Sequence, residues 1–394
     1  MPKPRICIVT GSRADYGLLR PLMEALRDAP DFTLQVIATG MHLAPEFGLT
    51  YQAIEADGFS IDAQVEMLLS SDTARGVAKS VGLGVIGFAD ALAPLQPNLL
   101  LVLGDRFEIL AAVQAALFAR IPVAHIAGGD ITEGAVDDAI RHSITKMAHL
   151  HFVTNAGAAL RVRQLGEDPR HIFTVGSPGI DNLKCTPLLT REQLEAALGL
   201  HLKERNLLVT FHPSTLEATP AHAQLRELFT ALDSFGPGLG LIFTKPNADM
   251  GGRDLAGLID DYVATRENAA AFTSLGNQRY YSAIAQVDAV VGNSSSGLYE
   301  VPSFGKPTVN IGDRQKGRLR AASVIDCAPT HAMIRAAIAA ALTRDCRGVT
   351  NPYGDGQAVE RILAVIRAVL RQPLDTDALV QKRFFDQVLA HAVD

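Results

Sequence analysis

The feature that most constrains this chain is a series of short runs in which nearly every residue is apolar. Leu99–Leu103 ends at Gly104, and Ile121–Ile126 ends before Ala127. Such runs are typical of parallel strands that helices cover on both faces. Amphipathic helix patterns alternate with the runs along the chain, which is the signature of βαβ units. The sequence therefore predicts an α/β protein built on parallel sheets.

The alternation of strands and helices occurs in two halves. A break in composition around Pro187 separates them, and the second half begins with the apolar run Leu207–Phe211. Because a single core stops growing at about 250–300 residues, a chain of 394 residues predicts two domains. We predict an N-terminal domain over 1–186, a C-terminal domain over 187–371, and a tail, 372–394, that packs back on the first domain.

Composition limits the partners and the compartment. A net charge of −6 with a pI near 6.0 argues against nucleic acid or an anionic membrane as partner. The four cysteines form no CxxC pair and have no metal-ligand spacing, as is usual in a reducing compartment. The first residues lead directly into a strand, without the long apolar region of a signal peptide. We therefore expect a cytoplasmic protein with no membrane span.

Charged residues follow the strands of the first half, where ligands of doubly wound sheets bind. Asp105 follows one strand, and Asp137, Asp138, Arg141 and His142 lie on a predicted helix. The spacings Asp137–Arg141 and Asp138–His142 are those of ion pairs on a helix surface. Alternatively, one of these carboxylates lies beside Asp105, and the two take different protonation states for acid and base roles. The spacing alone leaves both interpretations open.

Two further turns have the composition of anion sites. A small-residue turn that contains Arg13 opens the first helix, and an Asn-Ser-Ser-Ser-Gly loop at 293–297 precedes a helix that we expect to begin with Leu298-Tyr299-Glu300. Backbone amides and hydroxyls at a helix N-terminus favour phosphate, and Glu300 suits ribose hydroxyls. The alternatives are a plain strand–helix turn and a serine-capped helix.

Long motifs give the chain a family resemblance. These are TGSRADYGLL at 10–19, LGDRFEI at 103–109, HIAGGD at 125–130, DDAIRHSITKMAHLH at 137–151, FHPST at 211–215, GNSSSGLYEVPSFGKPTVNIGDRQKGR at 292–318 and NPYGDG at 351–356. With them the sequence resembles the hydrolysing nucleotide-sugar 2-epimerases of the sialic-acid and legionaminic-acid pathways. The resemblance implies a glycosyltransferase-B-like fold, in which two Rossmann-like doubly wound domains have the active site between them. It also implies a homo-oligomer and chemistry without metal or cofactor.

The resemblance assigns roles to residues that match its motifs. It implies that Asp105, Asp137 and His212 are catalytic. The residues that it places around the nucleotide sugar are Arg13, Arg106, His142, Asn247, Ser294, Ser295, Glu300 and Arg314. One position departs from the pattern, because several relatives carry a catalytic glutamate where this chain has Ala127. Our hypothesis is that Asp130 or Glu133 takes that role.

The implied reaction has two steps. A base removes the proton at sugar C2 while the nucleoside diphosphate leaves C1, and water then adds to the glycal with the opposite C2 configuration. We expect UDP-GlcNAc as substrate, with ManNAc and UDP as products. The alternatives are a UDP- or GDP-linked 2,4-diacetamido-2,4,6-trideoxy sugar, a glycosyltransferase on the same fold, and a non-catalytic nucleotide-sugar-binding protein. The sequence leaves open the nucleobase, the C4 and C6 substituents, feedback regulation, and whether the oligomer is a dimer or a tetramer.

Overall fold

A computed structural model describes residues 3–71, 73–132, 136–213, 219–246, 252–370 and 379–386. The chain forms two compact units. Unit 1 comprises 1–182 together with 353–394, and unit 2 comprises 183–352. Each unit is built on a parallel sheet with alternating helices, so the predicted Rossmann-like α/β fold class is confirmed.

Unit 1 contains a seven-stranded parallel sheet in the order β3-β2-β1-β4-β5-β6-β7. Its strands are β1 Arg5–Thr10, β2 Thr33–Thr39, β3 Ala63–Val65, β4 Leu99–Leu103, β5 Val123–Ile126, β6 Leu150–Val153 and β7 Ile172–Thr174. Its helices are α1 Arg13–Asp28, α2 Tyr51–Ala56, α3 Ala74–Leu95, α4 Phe107–Phe118, α5 Val136–Met147, α6 Ala156–Gln164 and, after unit 2, α14 Ala358–Leu370, while α7 Pro178–Cys185 lies at the junction.

The sheet of unit 1 is covered on both faces, which explains why its central strands are apolar throughout. Ile6 and Ile8 of β1 pack with α1 and α14 on one face. Cys7 and Val9 pack with α3 and α4 on the other. Successive side chains of a strand point to opposite faces, so both registers of β1 must be apolar. The sheet is therefore doubly wound, as predicted.

One helix of the described chain, α3, is long and apolar enough to span a membrane by length and composition. Within unit 1 it packs along α4, and Phe88 and Leu92 on its inner side are buried. Close approach of the two helices depends on Gly84, because a Cβ there would lie 2.9 Å from the Cβ of Ala111. Here α3 is a covering helix of the sheet.

Unit 2 has a six-stranded parallel sheet in the order β10-β9-β8-β11-β12-β13. Its strands are β8 Arg205–Thr210, β9 Leu239–Thr244, β10 Ala269–Phe272, β11 Ala289–Gly292, β12 Thr308–Ile311 and β13 Val324–Cys327. Its helices are α8 Arg191–Leu198, α9 Ala221–Asp233, α10 Gly252–Ala264, α11 Gly276–Gln286, α12 Ser296–Tyr299 and α13 His331–Ala341.

The boundaries of the units differ from the predicted division at 186/187 and at 371. The chain enters unit 2 at Leu183 and returns to unit 1 at Tyr353. The reason is α14, whose apolar side buries Ile362 and Ile366 in the core formed by β1 and α1. Asp181 in unit 1 accepts hydrogen bonds from the first two backbone amides of α14, at 3.1 and 2.9 Å. A helix assigned to the second domain by its position in sequence thus belongs to the first.

The described part of the tail, 379–386, packs on unit 1. Leu379 lies against the core that contains β1. The backbone amide of Phe385 donates to the carbonyl oxygen of Gly166, 2.8 Å away, and Lys382 forms an ion pair with Glu167. The predicted tail also includes residues 372–378 and 387–394, which lie outside the described residues.

Candidate active site

The polar residues predicted in the first half collect at the carboxyl edge of the unit 1 sheet. Gly104 follows β4 in the left-handed conformation, with φ 73°, and Asp105 comes next. Ala127 follows β5 and also has a positive φ, 63°. Asp137 and Arg141, in the first half of α5, lie at the same edge. Their interactions with Asp105 show this. A left-handed non-glycine residue is strained, and strained residues cluster at functional sites.

Arg141 is the centre of this cluster. It is 7% exposed, and its guanidinium donates to the carboxylate of Asp105, to the carbonyl oxygen of Asp130 at 2.7 Å, and to the hydroxyl of Thr132 at 3.1 Å. Asp138 lies 3.7 Å from the same guanidinium. Arg141 therefore joins the loop after β4 to the loop after β5, and its ion pair with Asp105 excludes a purely surface role for this helix face.

Asp137 and Asp105 are neighbouring carboxyl groups with different partners. Burial and the charge of Asp105 raise the pKa of Asp137, while the guanidinium groups of Arg141 and Arg106 oppose the rise. Asp105 is ion-paired with Arg141. Asp137 therefore loses its proton at a higher pH than an ordinary aspartate does. The neighbouring carboxylate of Asp105 is held by a cation. Two carboxyl groups in unlike environments can divide acid and base roles.

His142 and Asp138 form the weaker pair that their spacing predicts. Nε2 of His142 lies 3.4 Å from a carboxylate oxygen of Asp138, and that aspartate also accepts from the backbone amide of Thr132 at 2.7 Å. In the described part of the chain, the buried Nδ1 of His142 has no hydrogen-bond partner. His142 thus has one ring nitrogen beside Asp138 and one buried ring nitrogen without a partner among the described residues.

His125, inside β5, belongs to the motif HIAGGD, and the sequence assigns it no role. It is fully buried, and burial lowers its pKa to about 3. The imidazole is therefore neutral, and its Nε2–H donates to the carbonyl oxygen of Gly104 at 2.8 Å. The hydroxyl of Thr145 lies 3.1 Å from Nδ1. His125 thus fixes the turn that places Asp105, and a histidine inside an apolar strand was its only signal.

Arg106 has a buried carboxylate partner that sequence reasoning also missed. Glu108 is 0% exposed, and its two oxygens accept from Nη2 and Nε of Arg106 at 2.8 and 3.2 Å. Asp15 lies 4.0 Å from the same guanidinium, and burial raises the pKa of Asp15. Gly40, with φ 58°, makes room for Glu108, because a Cβ there would lie 2.7 Å from its Oε1. Arg106 is therefore firmly oriented at the sheet edge.

The remaining predicted residues of the first half are Arg13, Asp130 and Glu133. Arg13 is the first residue of α1 and is exposed. One carboxylate oxygen of Asp130 accepts from the hydroxyl of Thr154 at 2.7 Å and from the amide of Asn155 at 3.3 Å, at the end of β6. Glu133 lies outside the described residues. The carboxylate of Asp130 thus connects two loops.

In unit 2, Asn293 connects the loops that follow β8 and β11. The amide of His212 donates to Oδ1 of Asn293 at 2.7 Å, and Nδ2 of Asn293 donates to the carbonyl oxygen of His212 at 2.9 Å. Arg314 and Gln315 donate to the carbonyl oxygen of Asn293 at 3.0 and 2.8 Å. His212 is 9% exposed. The structure thus brings His212 and Arg314 together around one asparagine, which the sequence analysis named only as part of a loop.

The serine loop is followed by less helix than predicted. Helix α12 has one turn, Ser296–Tyr299, and a 3₁₀ turn, Val301–Phe304, continues from it. The expected helix beginning at Leu298 is wrong, because Pro302 lacks the amide hydrogen that a longer α-helix needs. Ser294 and Ser295 precede α12. A single turn carries little dipole, so any anion here must rely on hydroxyls and amides.

Among the described carboxyl groups of unit 2, Glu300 has a buried oxygen without a hydrogen-bond partner. Burial raises its pKa, and the hydroxyl of Ser296 opposes the rise. Within the described residues its buried Oε2 has no hydrogen-bond partner. A buried acceptor without a partner is costly, which favours a ligand hydroxyl there. Asn247, the remaining predicted binding residue, lies outside the described residues, and the described chain contains no group of three or more His, Cys, Asp or Glu that could hold a metal ion.

Comparison with known proteins identifies relatives over most of the chain. A family profile described as UDP-N-acetylglucosamine 2-epimerase matches residues 24–367. The chain is 42% identical to GDP/UDP-N,N'-diacetylbacillosamine 2-epimerase (hydrolyzing) of Campylobacter jejuni, over 83% of this chain and 85% of that protein. It is 34% identical to UDP-N,N'-diacetylbacillosamine 2-epimerase (hydrolyzing) of Legionella pneumophila, over 93% and 96%. The fold matches UDP-GlcNAc 2-epimerase of Methanocaldococcus jannaschii in complex with UDP-GlcNAc and UDP, with a TM-score of 0.73, 17% identity and coverage of 92% and 99%.

Proposed function

Since this chain belongs to the UDP-N-acetylglucosamine 2-epimerase family and is a hydrolysing nucleotide-sugar 2-epimerase, we propose that it epimerises and releases a nucleotide-linked diacetamido sugar. The sequence alone favoured UDP-GlcNAc. Two relatives with 42% and 34% identity are named for N,N'-diacetylbacillosamine, and this similarity makes the 2,4-diacetamido-2,4,6-trideoxy sugar our first candidate. UDP-GlcNAc, the ligand of the structural relative, is the second.

The observation that carries the chemistry is the pair of unlike carboxyl groups, Asp105 and Asp137. Asp105, held by Arg141, takes the proton from sugar C2 while the C1–O bond breaks and its electrons leave with the nucleoside diphosphate. Water then adds its oxygen to C1 of the glycal, and C2 receives a proton on the opposite face. Asp137, whose pKa lies above that of an ordinary aspartate, is proposed as the donor. His212 is proposed as the third catalytic group, acting on the leaving diphosphate.

The nucleotide is proposed to bind through unit 2. Glu300, with its unpartnered buried oxygen, accepts from the ribose hydroxyls. Ser294, Ser295 and Arg314 hold the diphosphate, and Asn247 remains assigned to the nucleotide sugar by resemblance alone. From unit 1, Arg13, Arg106 and His142 complete the binding set. These roles need neither metal nor cofactor.

Because Ala127 occupies the position of the catalytic glutamate of several relatives, another residue must supply that carboxyl group. The carboxylate of Asp130 is engaged with Thr154 and Asn155, so we propose Glu133 as the replacement and Asp130 as support for the loop. Alanine at each position separates them, with turnover and UDP binding measured independently. We expect Glu133→Ala to lower kcat with binding unchanged; an unchanged kcat in both variants would refute the replacement hypothesis.

The reaction is tested by NMR in D₂O with three substrates: UDP-GlcNAc and the UDP- and GDP-linked diacetamido sugars. We expect free epimerised sugar with deuterium at C2, together with the nucleoside diphosphate, from a diacetamido substrate. Turnover of UDP-GlcNAc alone would establish the second candidate. Transfer of the sugar to an acceptor without deuterium at C2 would indicate a glycosyltransferase, and binding of all three without turnover would indicate a non-catalytic protein.

We also propose a cytoplasmic homo-oligomer. All four cysteines are free thiols, as is usual in a reducing compartment. Helices α3 and α4 expose large apolar side chains, of which Ile86 is 64% and Phe118 83% exposed. We propose a second copy of this chain as the partner that covers them. Light scattering of the wild-type protein and of Ile86→Asp tests this, and a wild-type monomer would refute it.

A further inference from the structure

A cluster of charges around one buried carboxylate lies at the edge of the unit 1 sheet opposite to the active site. Its centre is Glu167, which is 3% exposed. Nζ of Lys146 lies 2.7 Å from one carboxylate oxygen, and Nζ of Lys382 lies 2.7 Å from the other. Nε2 of His151, on β6, lies 3.0 Å from that second oxygen. Three donors from three segments of the chain thus converge on one buried carboxylate.

The ammonium group of Lys382 donates hydrogen bonds at the C-terminal end of α5. An ammonium has three N–H donors, and those of Lys382 have three acceptors: Glu167, the carbonyl oxygen of Lys146, and the carbonyl oxygen of Ala148 at 2.7 Å. The last carbonyls of a helix lack partners within it, and a cation there also complements the helix dipole. Lys382 is therefore the C-terminal cap of α5.

The residues that flank Lys382 contact the same part of unit 1. We call 379–386 the strap. The ring of Phe384 lies 4.7 Å from Nζ of Lys146, and the amide of Phe385 donates to the carbonyl oxygen of Gly166 at 2.8 Å. The ammonium of Lys146 also donates to the carbonyl oxygen of Leu165 at 3.0 Å. The strap thus contacts the C-terminal end of α5 and the turn before Glu167 together.

Helix α5 connects this cluster with the active site. Its first half holds Asp137 and Arg141, and its last residues are those that Lys382 caps. Arg141 fixes one end of the helix through Asp105, and the strap fixes the other. We propose that the strap is a positioning element of the active site and that Lys382 is its positioning residue, acting through α5 on Asp137 and Arg141.

The experiment compares Lys382→Met with Arg383→Met. Both remove one positive charge from the strap, but Arg383 is exposed, so it is the matched control. We expect Lys382→Met to raise amide hydrogen exchange in 136–147 by about tenfold through loss of hydrogen bonds to a charged group. We expect kcat to fall by about tenfold or more, since a displacement of about 1 Å costs up to about 100-fold. KM should change less than kcat, because His142 is the one proposed binding residue on α5. Lys382→Arg should restore exchange and kcat, and Arg383→Met should match wild type.

Two results would overturn the proposal. One is wild-type exchange in 136–147 and wild-type kcat in Lys382→Met; the other is an equal rise of exchange in every peptide of unit 1, which would make Lys382 a general stabiliser. If Lys382→Met does not fold, Lys382→Gln keeps two donors and is expected to show a smaller change of the same kind. The activity readout rests on the proposed function, whereas exchange needs no substrate. A wild-type protein without turnover would therefore refute that function and still leave the strap decided by exchange.

Discussion

Replacing Glu167 by glutamine should make unit 1 less stable at neutral pH and remove part of its sensitivity to acid. Burial alone would raise the pKa of Glu167, but hydrogen bonds from His151, Lys146 and Lys382 outweigh burial and lower the pKa to about 2. The folded protein therefore binds this proton less tightly than the unfolded chain does. The stabilisation is complete above the ordinary pKa of 4.5 and is lost as the pH falls towards 2.

The size of the effect follows from that difference. A carboxyl group whose pKa falls from 4.5 to about 2 contributes about 3 kcal/mol to the free energy of unfolding at pH 7. Glu167→Gln should lack this contribution. The difference in free energy of unfolding between wild type and Glu167→Gln, called the gap below, should therefore decrease by about 1.4 kcal/mol on going from pH 7 to pH 3.5. Hydrogen exchange of the β6 amides, corrected for intrinsic rates, measures the gap within unit 1.

Asp168→Asn is the control for this measurement. The pKa of Asp168 is also lowered to about 2, by hydrogen bonds from Arg170, but Arg170 is 84% exposed, and solvent screens a surface pair. Its replacement should therefore change stability far less than Glu167→Gln. A gap between wild type and Glu167→Gln that is absent at pH 7, or constant from pH 7 to pH 3.5, would refute the reasoning.

Three further changes probe the active site. Asp105→Asn should lower turnover by about 10²–10⁴-fold with UDP affinity unchanged, because it removes a general base; initial rates and calorimetry check this, and near-normal turnover would contradict the role. Glu108→Gln should raise KM for the nucleotide sugar, as Arg106→Met should, because Arg106 loses the charge that orients it; steady-state kinetics decide, and an unchanged KM argues against the pair. Gly40→Ala should cost about 1–2 kcal/mol from its left-handed backbone, plus the clash with Glu108; an unchanged Tm would exclude the clash.

The sequence predicts the central strands well and the edges poorly. Leu99–Leu103 is apolar throughout because helices cover both faces, and the structure confirms its bounds. The edge strands β3 and β10 have three and four residues, and most of their side chains are only half buried. Short, partly exposed strands leave little pattern to read. The sequence placed residues up to 371 in the second domain, because the apolar stripe of a helix such as α14 does not indicate which core it covers.

The candidate site shows a similar limit. Position after a strand was enough to single out Asp105, and helix spacing was enough to pair Asp138 with His142. The partners that orient them were not visible, because contacts between residues distant in sequence depend on the assembled sheet. Arg141 donates to Asp105 rather than to Asp137, the partner that the helix spacing predicts. The burial of Glu108 and the joining of Lys382 to Glu167 are likewise properties of packing.

The return of the chain to unit 1 at Tyr353 has a consequence for synthesis on the ribosome. The unit 1 core includes Ile362 and Ile366 of α14, so it stays open until those residues have been made. Unit 2 is continuous and can close its own core earlier. Although domains generally fold in order from the N-terminus, here the second unit is expected to mature first. Until α14 has been made, the nascent first unit exposes an apolar sheet face. We expect chaperones to bind this face during translation.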